Sequence, residues 1–188
     1  MNEPKPGERS GTCYWLTGLS GAGKSSIGTA LFQRLRAVKP NVLFLDGDLL
    51  REVFGKTQAY DLSSRKALAL TYGKLCRMLT QQGQDVVCCT ISMFDEVRAW
   101  NRENIPRYRE IYVRASMETL VARDQKQLYS KALRGEVKDV MGVDMDFEAP
   151  LRPDWVIENE GGELPDAIAE QLFLRFYLLD EEHDDEAR

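Results

Sequence analysis

The run Gly18-Leu-Ser-Gly-Ala-Gly-Lys-Ser25 constrains this chain more than any other feature, because it fits G-x-x-x-x-G-K-[ST] between an apolar strand-like segment and a helix-like one. A loop of this kind needs a strand to deliver it and a helix to leave it. Gly18, Gly21 and Gly23 let the backbone turn tightly, so that N–H groups from Ser20 through Ala22 to Ser26, with the positive end of the next helix, point at an anion. Lys24 then reaches the β- and γ-phosphates of a nucleotide, and Ser25 offers a hydroxyl to Mg²⁺. The loop predicts a nucleotide-binding α/β fold and a nucleotide-dependent phosphotransferase.

The remaining pattern agrees with that fold. Residues 12–17, 41–46, 85–91, 110–113 and 154–158 read as strands, and residues 24–38, 62–82, 94–104, 117–124 and 165–177 as helices. The continuous apolar run in residues 41–46 suits a parallel strand covered on both faces. Leu68, Tyr72, Leu75 and Leu79 recur at helical spacing before the natural stop Gly83. Alternating strands and helices imply a doubly wound sheet of about five parallel strands with helices on both faces, and ligands collect at the carboxyl ends of its strands. Residues 124–150, dotted with Lys and Arg and interrupted by Gly, read as a mobile lid.

The 188 residues suffice for one domain, expected over 12–178 between a flexible N-terminus, 1–11, and an acidic tail, 179–188. A net charge of −5 without a basic stripe argues against a nucleic-acid partner. No apolar run approaches the roughly 20 residues of a membrane helix, and MNEPKPGERSG lacks an apolar signal core, so a cytoplasmic protein without a membrane partner is expected. Cys13, Cys76, Cys88 and Cys89 form no C-x-x-C pair and read as small buried hydrophobes. The single histidine, His183, lies in DEEHDDEAR, whose charge density points to solvated disorder and leaves no histidine for acid–base work.

Phosphoryl transfer asks a protein for positioning, positive charge and a group that accepts the proton of the attacking hydroxyl. Asp46-Gly47-Asp48, at the end of the second strand, supplies two carboxylates: Asp46 toward Mg²⁺ through water and Asp48 toward the acceptor hydroxyl. A helix-capping aspartate is the plainer reading of the same residues. Arg51 and Arg65 are candidate anion contacts for the acceptor. Arg123-Asp124 and the lid's Lys126, Lys131, Arg134 and Lys138 could close over the ATP phosphates, although Lys131 and Arg134 suit a solvated face equally well.

The segments GLSGAGKSS, LDGDLLR, ARDQKQLYSKALRGEVK and MGVDMDFEAP together resemble the adenylylsulfate kinase (APS kinase) family, from about Cys13 to Asn159. Enzymes of that family move the γ-phosphate of ATP to the 3′-hydroxyl of adenosine 5′-phosphosulfate, use Mg²⁺ and usually form homodimers. The resemblance implies a ribose hydroxyl as acceptor, with Asp48 as base, Arg51 and Arg65 on the acceptor's anion, Ser92 near the transferring group and Ile91 on the acceptor. It also implies Lys24 and Asp46 in the catalytic set, Arg123 on ATP, and Tyr60, Lys138 and Val140 on the acceptor.

Departures from the family pattern gather on the acceptor side. Where the family reads F-S-x-x-D-R-x-x-N-I-R-R, this chain keeps Arg65 but has Tyr60, Leu68, Leu70 and Thr71. Asp95 stands where I-S-P-Y-R has arginine, and Val140 where G-F-T-G has the phenylalanine that would stack on adenine. Fewer charged contacts and less stacking suit a smaller base, such as the cytidine diphosphoramidate phosphorylated by related kinases of capsule phosphoramidate synthesis. A general small-molecule or nucleoside kinase, and a nucleotide switch that transfers nothing, are the other readings; the intact Lys24, Ser25, Asp46 and Asp48 set argues against the switch.

Overall fold

The computed structural model describes residues 10–54 and 61–185. Five parallel strands, β1 (Cys13–Thr17), β2 (Val42–Asp46), β3 (Asp85–Thr90), β4 (Tyr108–Arg114) and β5 (Trp155–Glu158), form one sheet in the order β2-β3-β1-β4-β5. Every step between neighbours in the chain is a crossover, which parallel pairing requires. The strand β1 sits at the centre and is wholly buried, as its unbroken run Cys-Tyr-Trp-Leu-Thr demands.

The helices cover the sheet in two pairs. One pair is α1 (Lys24–Val38) against α7 (Pro165–Asp185), and the other is α3 (Leu62–Thr80) against α4 (Asp95–Asn104). Successive side chains of β1 point to opposite faces. Tyr14 accordingly meets Phe176 of α7 at 6.1 Å between ring centroids, while Trp15 meets Tyr108 at 6.4 Å. Ile27, Leu31 and Leu35 place the apolar stripe of α1 in the core at i, i+4 and i+8. Three shorter helices, α2 (Gly47–Val53), α5 (Met117–Arg123) and α6 (Leu128–Leu133), line the edge where the strands end.

Two expectations change. The strand β2 is an edge strand, with only Val42 buried and Leu43 37% exposed, because strand order is set by long-range pairing that its apolar run does not encode. The last helix runs to Asp185, past the expected end at Tyr177, because no Gly or Pro interrupts Leu178–Asp185 and charge alone does not end a helix. Among the described residues all four cysteines are buried free thiols, and no helix is long and apolar enough to cross a membrane.

The register aligns the ends that matter. Thr17 of β1 stands opposite Thr90 of β3, and Cys89 opposite Asp46 of β2, so the loops after three adjacent strands open on one edge of the sheet.

Candidate active site

The loop after β1 owes its path to glycine. Gly18 has φ 152°, and a Cβ there would collide with the Val113 carbonyl oxygen; Gly23 has φ 101°, and a Cβ there would collide with the side-chain amide of Asn159. The loop is braced from three sides. Asn159 Nδ2 donates to Ala22 O at 2.8 Å, Tyr129 Oη donates to Ser20 O at 2.8 Å, and an Arg123 guanidinium nitrogen donates to Gly21 O at 3.2 Å. Arg123 also donates to Asn159 O at 2.9 Å, which joins two of these braces.

Lys24 is buried, and its Nζ folds back to donate to Leu19 O at 2.7 Å. Burial lowers its pKa from 10.5 to about 8, with the nearby carboxylates of Asp46 and Asp48 opposing the shift. Ser25 Oγ donates to Asp46 Oδ2 at 2.6 Å, while Asp46 Oδ1 accepts the Asp48 N–H at 2.9 Å. Asp46 therefore caps α2 and touches the phosphate-loop serine at once.

Asp48 faces a positive group from the opposite side. Lys126 Nζ lies 2.7 Å from Asp48 Oδ2, and that hydrogen bond is the main reason the Asp48 carboxyl stays below its ordinary pKa. The lysine is delivered by a turn in which Asp124, Lys126 and Gln127 all have positive φ, at 34°, 61° and 57°. Asp124 Oδ1 holds that turn by accepting the N–H groups of Tyr129 and Ser130, each at 3.0 Å. Such backbone strain persists only where surrounding bonds hold it.

These groups open on one cleft of about 620 Å³, lined on the loop side by Ser20, Gly21, Lys24 and Ser25. Asp46, Asp48, Arg51, Arg65, Ile91, Ser92, Lys138 and Val140 also line it. Ser92, buried and at φ 21°, is held by a 2.8 Å contact between its Oγ and that of Thr90. Arg65 donates to Asp139 O at 2.7 Å, and Asp144 accepts the N–H groups of Asp139 and Val140 at 2.8 and 2.6 Å, tying α3 to residues 139–144.

Other expected residues stand elsewhere. Gly18, Ala22, Gly23, Ser26 and Arg123 are not in the cleft lining; Arg123 supports the loop instead of facing the cleft. Tyr60 lies outside the described residues. Leu68 and Val140 line the cleft, whereas Leu70, Thr71 and Asp95 do not: Thr71 Oγ1 returns to Ala67 O at 2.9 Å, and Asp95 pairs with Arg98. Arg134 pairs with Glu136 at 2.6 Å on an exposed face. Asn159, Tyr129 and Tyr72 emerge only from the structure, although Asn159 directly follows β5, where a strand-end rule would look for it.

Comparison with known proteins agrees with this architecture. A cytidine diphosphoramidate kinase of Campylobacter jejuni is 46% identical over 145 residues, which cover 77% of this chain and 84% of that protein. An adenylyl-sulfate kinase of Chloroflexus aurantiacus is 36% identical over 163 residues, covering 87% and 88%. The Mycobacterium tuberculosis APS kinase solved in complex with AMPPNP and APS superposes with a TM-score of 0.80 at 27% identity, over 88% of this chain and 96% of that one. The model of the adenylylsulphate kinase family matches residues 10–158, and so, with its phosphate loop and five-stranded parallel sheet, the chain belongs to the adenylylsulphate kinase family of P-loop kinases.

Proposed function

We propose that this kinase moves the γ-phosphate of ATP to the 3′-hydroxyl of a nucleotide anhydride, adenosine 5′-phosphosulfate or a related acceptor. The observation that carries the reading is one cleft whose lining brings Lys24, Ser25, Asp48, Arg51 and Arg65 together. In-line transfer needs phosphate-binding charge, a base and acceptor contacts gathered in one site.

Lys24 leaves the Leu19 carbonyl to meet the β- and γ-phosphates, and its charge there stabilises the transferring group. Asp48 leaves Lys126 to accept the proton of the acceptor hydroxyl. Lys126, freed by the same movement, remains beside the transferring phosphoryl group as a counter-charge. The hydroxyl of Ser25 and the carboxylate of Asp46, 2.6 Å apart, fit the hard oxygen donors that Mg²⁺ takes. Held there by Ser25 and Asp46, the ion would supply charge neutralisation on the phosphates. Arg51, Arg65 and Lys138 bind the acceptor's anionic end, while Ile91, Ser92 and Val140 bound its nucleoside. A homodimer in the cytoplasm is the expected setting, and analytical ultracentrifugation tests the oligomeric part.

A second acceptor, cytidine diphosphoramidate, is favoured by two cleft-lining residues, Leu68 and Val140, at positions where the resemblance expects asparagine and a stacking phenylalanine. A coupled ADP-release assay with both anhydrides and with plain nucleotides separates the readings. Turnover confined to plain nucleosides would instead support a general nucleoside kinase.

A further inference from the structure

Tyr72 belongs to none of the motifs that point to the site, and its helical spacing with Leu68, Leu75 and Leu79 gives it the look of an ordinary core residue. The structure gives it a different setting. Arg65, Leu68, Ala69 and Tyr72, at i, i+3, i+4 and i+7, form the face of α3 that lines the acceptor half of the cleft. Tyr72 is 4% exposed, and its hydroxyl oxygen is buried without a hydrogen bond of normal geometry. Buried hydroxyls without a well-formed hydrogen bond are rare in folded proteins, and each requires a reason.

Packing accounts for the ring only. The ring meets Phe54 at 6.0 Å between centroids, a contact that phenylalanine would make equally well. The hydroxyl has charged neighbours instead. Burial, the largest influence, pushes the phenol pKa up; the Arg51 guanidinium pulls it down through its charge and through a hydrogen bond with the phenol, and the Asp48 carboxylate raises it again. The phenol thus stays protonated at neutral pH, within electrostatic reach of both the candidate base and a candidate anion contact.

We propose that Tyr72 is a positioning residue of the acceptor site: its phenol oxygen accepts an N–H of Arg51 when an anionic oxygen of the acceptor nucleotide draws that guanidinium into line. Tyr72 then sets the angle at which Arg51 meets the acceptor. This rests on the kinase reading above, in which Arg51 is an acceptor contact.

The test compares wild type, Tyr72→Phe, Arg51→Ala and the double variant in steady-state assays with adenosine 5′-phosphosulfate and cytidine diphosphoramidate. Tyr72→Phe should raise the acceptor KM about tenfold, the scale of one hydrogen bond to a charged group, while kcat, the ATP KM and Tm hold. In the Arg51→Ala background the same change should add nothing. An acceptor KM within about twofold of wild type, or an equal rise without Arg51, overturns the proposal. Thr71→Val, which removes a hydroxyl beside Tyr72 but outside the cleft lining, is the control and should match wild type. If wild type turns over neither anhydride, the acceptor reading fails separately, and calorimetric binding of AMP and CMP to the same four proteins decides the role of Tyr72. Weaker binding by Tyr72→Phe only where Arg51 is present supports it; equal binding, or none by wild type, overturns it.

Discussion

Lys126 Nζ stands 2.7 Å from Asp48 Oδ2, so the turn after α5 reaches across the cleft and occupies the carboxylate that the kinase reading needs as its base. Both side chains are more than 70% exposed, at 72% and 73%, and an exposed pair of this kind is worth below about 1 kcal/mol. It is therefore a contact that an incoming hydroxyl can displace.

Replacing Lys126 by Met should raise the Asp48 pKa, since the hydrogen bond from Lys126 is the main cause of its depression. The base is inactive when protonated, so the acid limb of kcat/KM should move to higher pH. Fold stability should change by less than about 1 kcal/mol, and pH–rate profiles with thermal melts check both outcomes.

Asp48→Asn keeps the shape of the side chain and removes its basicity. It should lower kcat by about 10²–10⁴-fold with ATP binding retained. Single-turnover measurement of phosphoryl transfer, beside calorimetric ATP binding, distinguishes this from a binding defect.

The buried Lys24 makes ATP affinity pH-dependent. Below its pKa of about 8 the ammonium is charged before ATP arrives; above it, binding must also take up a proton. Affinity should therefore hold below about pH 8 and fall by up to tenfold per unit as pH rises further. The same burial carries a folding cost, because the folded-state pKa lies below the ordinary 10.5. That cost is present in full below about pH 8 and vanishes above 10.5. Lys24→Met should abolish turnover yet raise the stability of the unliganded protein at pH 7 by roughly 1–3 kcal/mol.

Arg123 and Asn159 hold the phosphate loop as a unit. Asn159→Ala removes the donor to Ala22 O, and Arg123→Ala the donors to Gly21 O and Asn159 O. Each should raise the ATP KM while leaving the acceptor KM near wild type, with a stability loss of about 1–3 kcal/mol. The double variant should lose less than the sum, since the residues share partners.

Val140→Phe should increase kcat/KM for adenosine 5′-phosphosulfate relative to cytidine diphosphoramidate. Val140 lines the cleft, and an aromatic face there would stack on the larger base. A competition assay with both acceptors present reads the ratio directly.

Much of this site was legible because its determinants are local. The phosphate loop carries its own turn chemistry, and α1 begins at Lys24 and ends at Val38 as the breaker Lys39-Pro40 predicts. Asp46 and Asp48 follow a strand end, where a parallel sheet gathers ligands. What was hidden depends on contacts distant in sequence. The edge position of β2 follows from strand order, and the inward path of Arg123 depends on Asn159, a partner 36 residues away. Tyr72 shares its helical spacing with core residues, and only the placement of α3 beside Arg51 and Asp48 separates it from them. Similarly, the family pattern alone suggested that positions 70 and 71 face the acceptor, whereas the turn of α3 directs 65, 68, 69 and 72 there instead.

The most direct measurement is ADP release by purified protein with ATP and Mg²⁺, across adenosine 5′-phosphosulfate, cytidine diphosphoramidate and plain nucleotides, with the product phosphate located by ³¹P NMR. The expected result is acceptor-dependent ADP release with an anhydride and a new phosphate on its ribose 3′-hydroxyl. ADP release that no anhydride stimulates, or phosphate found at any other position, would contradict it.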